Sequence, residues 1–353
     1  MAPPAMRVDL RLLAGLSFRC RPGCGLCCYA SPAVSPAERD RLITIVPTAE
    51  FREAEDGYRL LAARENGGAC SLLEANRCRA HAVRPFPCRV YPVHTHLGLS
   101  AQASVVMACP GVDLSALSRW GGELPPSEDP VGFDSEIRAA DEELRETPWA
   151  DWRHEHERLL ARLERRLTAE GRWEDPEELR RELFLHPPGP DARGQLTLPP
   201  PESGALEELP VFFDPQFGRV ALRSSGPQEY SLETLLELGG PGESLGRFHL
   251  AADLPELTPE GARMLRGYVR YLVVRDHFFW AALHELRSGA QDSLRERLRS
   301  NLVEASTEVL RRATVRGQLH GESGQRLGPE EVLDGVRAVD AELLDRPTLG
   351  RIL

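Results

Sequence analysis

From about Ser135 onward the chain repeats apolar residues at helical spacing. Leu159, Leu160, Leu163 and Leu167 recur at intervals of three and four within a strongly charged stretch that runs to Leu185, which predicts helix with one buried face. Asp175, Pro176 and Glu178 place an N-cap, a first-turn proline and a capping acid at the start of a further helix. Thr258 and Pro259 open a long helix expected to reach about Arg287, with Gly289 closing it. A second is expected from Gln291 to about Gln318, and Pro329 opens a third. A strand-like pattern stands out at one place. Val211, Phe212 and Phe213 are followed by Asp214-Pro215 and Phe217-Gly218 and then by Val220, Ala221 and Leu222, which predicts a hairpin.

Between Cys20 and about Pro110 periodic runs are scarce. Ser35, Pro36 and Glu38 cap a helix over Arg39 to Ile45, and Phe51, Tyr58, Leu61 and Ala62 predict a second from Thr48 to Arg64. The rest is dense in Cys, Pro, Gly and Arg. Such a segment buries little apolar surface alone and needs internal cross-links to hold a shape. Gly121 to Gly132 and His186 to Ser203, rich in proline, are expected to be linkers. No internal repeat is visible.

At 353 residues and 41 % hydrophobic content the chain is long enough for two domains and a buried core. Its 43 Lys+Arg positions are all Arg. A Schiff-base lysine, a pyridoxal phosphate anchor and a P-loop lysine are therefore excluded. The net charge of -11 is uneven, with 13 Arg against 10 acids up to residue 113 and 30 against 44 after it. An acidic whole argues against sequence-independent nucleic-acid binding. Met1 to Leu16 has no apolar run of signal-peptide length, and Tyr268 to Leu286 is interrupted by Arg270, Arg275, Asp276 and His277, so no membrane span is expected. The expected location is the cytoplasm, where thiols stay reduced and clustered cysteines serve as metal ligands rather than disulfides.

All eight cysteines lie in the first third: Cys20, Cys24, Cys27, Cys28, Cys70, Cys78, Cys88 and Cys109. Thiolates two or three residues apart can close on one metal centre when a tight turn brings both sulfurs to one side, and Gly23 and Gly25 supply the freedom for it. Cys27 and Cys28 are adjacent, so their side chains diverge and serve two centres, or one stays free. Eight sulfurs make two four-sulfur shells, for tetrahedral zinc or a cubane iron-sulfur cluster; a single site with spare thiols is the other arrangement. Arg19, Arg21, Arg77, Arg79, Arg84 and Arg89 stand near cysteines and can offset thiolate charge, or form a solvated basic face. In Arg84-Pro85-Phe86-Pro87-Cys88-Arg89-Val90-Tyr91-Pro92 three prolines stiffen the backbone around Cys88.

The run Phe18-x-Cys20-x3-Cys24-Gly25-x-Cys27-Cys28, then Cys70-x-Leu72, Cys78, Arg84-Pro85-x2-Cys88-Arg89-x-Tyr91-Pro92 and Cys109-Pro110-Gly111, resembles the YkgJ-type cysteine-cluster family over residues 18 to 111. That family is described as zinc- or iron-chelating and is often labelled iron-sulfur. The resemblance implies metal or cluster binding by the eight cysteines, with a 4Fe-4S cluster or Zn²⁺ as the cofactor, and implies no particular reaction.

The fold class expected is mainly α, with a cysteine-rich, loop-dominated metal-binding N-terminal domain and a small β-hairpin element, α+β at most. Three units follow: 1–118 as the cysteine-cluster domain, 119–208 as a charged helical segment with Pro-rich linkers, and 209–353 as a hairpin with a helical C-terminal domain that offers a surface to an unidentified protein or small-molecule partner or substrate.

The alternative is an S-adenosylmethionine-dependent enzyme with a structural or redox-active cluster. Flagellin lysine methylases carry a similar cysteine cluster, and Tyr268, Tyr271, Leu272, His277, Phe278, Phe279 and Trp280 loosely resemble a helix in their remaining region. No glycine-rich nucleotide loop after a strand accompanies it. Cys20-x3-Cys24-x2-Cys27 also has the spacing of radical S-adenosylmethionine enzymes, and Gly121-Gly122-Glu123 is similar to their glycine-rich element. That fold needs a strand-helix barrel and leaves five cysteines without a role. Among the histidines, His81, His94 and His96 fall between cysteines and are expected on the surface or beside the ligands. His154 and His156, two apart on a helix, do not share a face, and His277 and His284 are expected to be packed or interfacial.

Overall fold

The computed structural model describes residues 8–29, 33–53, 59–61, 70–75, 77–97, 101–121, 129–146, 149–190, 211–214, 216–226, 229–235, 241–250, 255–321 and 326–344. The fold is mainly α with several small antiparallel sheets, an α+β arrangement with a cysteine-rich N-terminal region. The helices are α1 (Pro36–Ile45), α2 (Phe86–Val90), α3 (Asp134–Glu146), α4 (Trp149–Ala169), α5 (Pro176–Leu185), α6 (Pro259–Val274), α7 (Asp276–Arg287), α8 (Leu294–Leu319) and α9 (Pro329–Leu344). The N-terminal strands are β1 (Ser17–Phe18), β2 (Ala33–Val34), β3 (Phe51–Glu53), β4 (Arg59–Leu61), β5 (Leu73–Glu74), β6 (Arg77–Cys78), β7 (Val93–Leu97), β8 (Ala101–Val105) and β9 (Val112–Asp113). They pair as β1-β9, β2-β4-β3, β5-β6 and β7-β8. The remaining four, β10 (Val211–Asp214), β11 (Gly218–Gly226), β12 (Glu229–Leu235) and β13 (Pro241–His249), form one antiparallel sheet in that order.

The main apolar core draws on stretches far apart in the chain. Leu12, Leu13, Leu16, Val105, Trp120 and Phe133 pack with Leu163 and Leu167 of α4, with Tyr268, Tyr271 and Leu272 of α6, with Phe279 and Trp280 of α7 and with Val309 and Val336 of α8 and α9. A second cluster lies under the four-stranded sheet, where Val220, Leu222, Tyr230 and Leu232 meet Val315 of α8 and Ala338 of α9. A third is small, with Val34, Leu42, Val46, Cys70, Leu72 and Ala80. Each fully buried large side chain contributes about 1.5–3 kcal/mol, whereas ordering the backbone costs about 1–2 kcal/mol for every residue. Among its described buried members the third cluster has four large aliphatic side chains, Val34, Leu42, Val46 and Leu72, and so supplies little of this.

The capping signals are borne out. Ser35 and Glu38 form the capping box of α1, Asp175 accepts from Glu178 N at 2.8 Å, and Thr258 accepts from Gly261 N at 3.0 Å. Helices occupy the charged stretch, and α8 and α9 lie where the second and third C-terminal helices are expected. The predicted hairpin exists as β10 and β11, but it continues into β12 and β13, whose pattern is interrupted by register shifts at Ser224–Gly226 and within Leu232–Leu235.

Two expectations are corrected. Where a helix from Thr48 to Arg64 was expected, the described residues form β3 and β4, paired Phe51 with Leu61 and Glu53 with Arg59. Asp56-Gly57, a turn-favouring dipeptide, falls between them in the sequence, and β2 adds a third strand through Ala33 and Leu60. The long helix from Thr258 to Arg287 is two helices broken at Arg275, with φ -73° and ψ 115°. The exposed ends at the break are satisfied from distant elements: Arg180 donates to Val273 O (2.9 Å) and Val274 O (2.7 Å), Gln102 donates to Val274 O (3.0 Å), and Asp276 N donates to Gln102 Oε1 (2.7 Å). Of the expected linkers, 122–128 and 191–203 lie outside the described residues.

Candidate metal centre

The pairing of β1 with β9 brings the two ends of the cysteine-bearing segment together. Arg19 N donates to Gly111 O at 2.9 Å, so Cys20 leaves this ladder beside the turn that holds Cys109. A Cβ on Gly111 would stand 2.5 Å from Arg19 O, and so Gly follows Cys109-Pro110. Gly23 and Gly25 have φ of +76° and +61°, the left-handed turns that the spacing of Cys20, Cys24 and Cys27 requires. Cys27 and Cys28 then lie on a 3-10 turn over Leu26–Tyr29. Cys70 is tied to it by its own N donating to Cys28 O at 2.6 Å, and Cys78 on β6 is opposite Leu73 on β5. Cys88 is in α2, whose first residue, Phe86, donates its N–H to Glu38 Oε1 at 2.7 Å while Glu38 Oε2 accepts from Ser35 N at 3.0 Å. One carboxylate thus caps α1 and positions the helix of Cys88.

None of the eight cysteines forms a disulfide; Cys20 and Cys27 are exposed and Cys70 and Cys109 buried. Cys27 is the common neighbour: its charge acts on Cys20, Cys24, Cys28, Cys78, Cys88 and Cys109. Beyond it the thiols divide. Cys28 and Cys88 each feel Cys70 and Cys78. Cys24 feels Cys20, and Cys109 feels Cys24. The Cys28 thiol donates a hydrogen bond to Cys27, which with Arg84 draws Cys27 down to about 7, whereas the same bond and burial push Cys28 up. Burial pushes Cys88 up, and it carries Cys109 to about 12 against the hydrogen bond from Tyr91. The hydrogen bond from Cys28 thus favours the Cys27 thiolate, while burial disfavours the ionised forms of Cys20, Cys24, Cys78, Cys88 and Cys109.

Of the six arginines expected to offset thiolate charge, Arg84 does so for Cys20, Cys27, Cys78 and Cys88. Arg79 and Arg89 face the carboxylates of Glu74 (3.4 Å) and Glu142 (3.5 Å), and Arg19, Arg21 and Arg77 are exposed. Two contributors from the cysteine-free part had no local signal. Arg219 on β11 donates to Cys24 O at 3.5 Å, and its charge offsets a small part of the burial that pushes the Cys24 thiol up. Arg337 on α9 donates to Cys109 O at 2.8 Å, Met107 O at 3.2 Å and Val112 O at 3.1 Å.

The histidines fall elsewhere than among the thiols. His81 is exposed beside Arg84. His94 and His96 alternate along β7 and so share a face, which turns toward His277 at ring distances of 6.2 and 5.7 Å. His156 stacks edge-on against Trp280 at 4.9 Å. Tyr268, Tyr271, Phe278, Phe279 and Trp280 fill the main core. Gly121 is exposed, while Gly122 and Glu123 lie outside the described residues.

Among the described residues, no three His, Cys, Asp or Glu side chains are gathered closely enough around one point to hold a metal ion as they stand. The donor set still fits a thiophilic centre: eight cysteines within residues 20–109, none in a disulfide, with the Arg84 guanidinium acting on four of them.

No helix among the described residues is long and apolar enough to cross a membrane. No curated protein and no solved structure matches the chain. Residues 19–109, which hold all eight cysteines, match the CxxCxxCC family model, described as a putative zinc- or iron-chelating domain, so this segment is similar to a cysteine-cluster metal-binding domain.

Proposed function

We propose that the eight cysteines hold two four-thiolate centres, Cys20, Cys24, Cys27 and Cys109 in one and Cys28, Cys70, Cys78 and Cys88 in the other. The observation that supports this is the backbone pairing, which sets Cys20 beside the Cys109 turn through Arg19 N and Gly111 O (2.9 Å) and Cys70 beside Cys28 through Cys70 N and Cys28 O (2.6 Å). Cys27 and Cys28 are the branch point, adjacent in sequence and in different shells. Iron-sulfur clusters of the 4Fe-4S type suit this environment over zinc, because Arg84 and the Tyr91 hydroxyl supply positive charge and a hydrogen bond to sulfur, the groups that adjust a redox centre. Bound clusters would supply one-electron transfer. The protein's own part is to hold Cys109 through Arg337 and Cys88 through Glu38. The C-terminal helices and sheet then offer a surface to a partner or substrate, and the free thiols suit the reducing cytoplasm.

Single serine substitutions test the partition. Cys88→Ser and Cys109→Ser should each remove about half of the bound metal, and the double variant all of it. Complete loss on either single substitution, with the circular dichroism of the helices intact, would show one shared site and refute the division.

A further inference from the structure

We propose that Arg19, Arg21 and Arg77 form the docking face for an acidic protein electron carrier, which passes one electron to the thiolate centre that contains Cys20. This rests on the iron-sulfur reading above and names the partner of that site. In the step the carrier is oxidised by one electron and the bound cluster is reduced by one, and no bond forms or breaks.

The segments 10–37 and 75–112 hold seven of the eight cysteines and seven arginines, and neither contains an Asp or Glu, in a chain whose net charge is -11. Four of those arginines are engaged. Arg11 pairs with Asp9 at 2.6 Å, Arg79 and Arg89 face Glu74 and Glu142, and Arg84 acts on the thiols. The other three, Arg19, Arg21 and Arg77, are exposed and form no ion pair among the described residues. Arg19 and Arg21 flank Cys20, one of the two exposed cysteines, and Arg77 precedes Cys78. Cys20 and Cys78 lie toward the same end of the cluster, since Cys27 and Arg84 act on both. Nearby carboxylates do not cancel this charge: Glu136, in electrostatic range of Cys20, is buried, and Asp113, opposite Ser17, accepts from Ser115 N at 2.9 Å.

Arg21 also stands in electrostatic range of Arg337, the guanidinium that holds Cys109. Like charges held side by side cost free energy that an anionic partner offsets. Guanidinium groups pair with carboxylates through two parallel hydrogen bonds, and exposed charges act over about 8–10 Å at ordinary salt. Such a face steers an acidic carrier to the exposed cysteine, and redox encounters of this kind need only a small interface. Nucleic acid fits less well, because three arginines neutralise few phosphates while the acidic remainder of the chain repels them.

The test uses the full chain with its metal retained and oxidised plant-type ferredoxin, an acidic one-electron carrier, as the probe. Calorimetric titration should show binding at low salt that weakens by about tenfold or more in about 0.5 M salt. In the unsubstituted chain, ferredoxin should shield Arg19, Arg21 and Arg77 from phenylglyoxal, read by mass spectrometry, while the exposed Arg158 and Arg162 of α4 react as before. Arg21→Gln with Arg77→Gln should weaken binding by about tenfold. Arg158→Gln with Arg162→Gln, which removes the same charge, should leave it unchanged. No binding, binding indifferent to salt, or equal shielding of all five arginines would each overturn the docking face, as would tighter binding of a DNA duplex than of ferredoxin at these three positions. A chain that binds ferredoxin here but takes no electron from dithionite would refute the iron-sulfur reading and leave the acidic-protein face standing.

Discussion

Arg337, near the C-terminal end of the described chain, donates to the carbonyl oxygen of Cys109 at 2.8 Å, so the last cysteine of the cluster is held by the last helix. The same guanidinium binds Met107 O and Val112 O, and Asp340, one turn on, accepts from Met107 N at 2.6 Å. Arg337→Gln should leave buried carbonyls without donors and cost about 1–3 kcal/mol in a denaturation midpoint. It should also raise the rate at which Cys109 is alkylated in the metal-free protein. An unchanged alkylation rate would show that α9 does not position Cys109.

Arg275 and Asp340 form a fully buried ion pair at 2.9 Å, with 2 % and 0 % of their side chains exposed. Removing one partner strands the other charge. Asp340→Ala should therefore cost about 3–5 kcal/mol, while Arg275→Leu with Asp340→Ala should cost less than Asp340→Ala alone. Denaturant titrations of the two variants and the parent check the order, and a double variant less stable than the single one would contradict it.

The buried histidines make stability depend on pH. His94 and His277 fall from the ordinary 6.5 to about 4 and about 3 in the folded chain, because burial disfavours their charged forms. Between those values and 6.5 the unfolded chain binds more protons, so stability is full above about 6.5 and declines as pH falls toward 3, by up to about 1.4 kcal/mol per pH unit for each group. In thermal denaturation of the metal-free protein from pH 7 to pH 4, a His94→Gln, His277→Gln variant should show a shallower decline than the parent. Parallel curves would contradict the burial of these rings as neutral groups.

Glu38 tests the link between local capping and the cluster. Glu38→Ala should remove the capping box of α1 and leave Phe86 N unpaired, a loss of about 1–2 kcal/mol. If the second role is real, metal affinity should fall further in Glu38→Ala than in Ser35→Ala, which removes only the cap. Equal affinities in the two variants would confine Glu38 to its helix.

Local signals were legible in the sequence and non-local ones were not. Ser35 with Glu38, Asp175 with Glu178, and Thr258 with Pro259 announce their helices because cap and first turn are adjacent in the chain. The spacing of Cys20, Cys24 and Cys27 with Gly23 and Gly25 likewise announces its own turns. The break at Arg275 was hidden because the groups that satisfy it, Arg180 and Gln102, are 94 and 174 residues away from their partners Val274 and Asp276. Arg219 and Arg337 were missed for the same reason. His94 and His96 had a readable cue, since alternate residues of a strand share a face; their meeting with His277 had none. The spacing of Phe51, Tyr58 and Leu61, seven and three apart, is helical and so hides the pair β3 and β4, whose pairing of Phe51 with Leu61 spans ten residues.

The claim that the eight cysteines hold two four-thiolate iron-sulfur centres meets its most direct test in anaerobic purification followed by iron, zinc and acid-labile sulfide analysis of the full chain. Two 4Fe-4S clusters require about eight iron and about eight sulfide per chain, with little zinc. A colourless protein with two zinc ions and no sulfide would contradict the clusters, and a protein with neither metal would contradict the centres altogether.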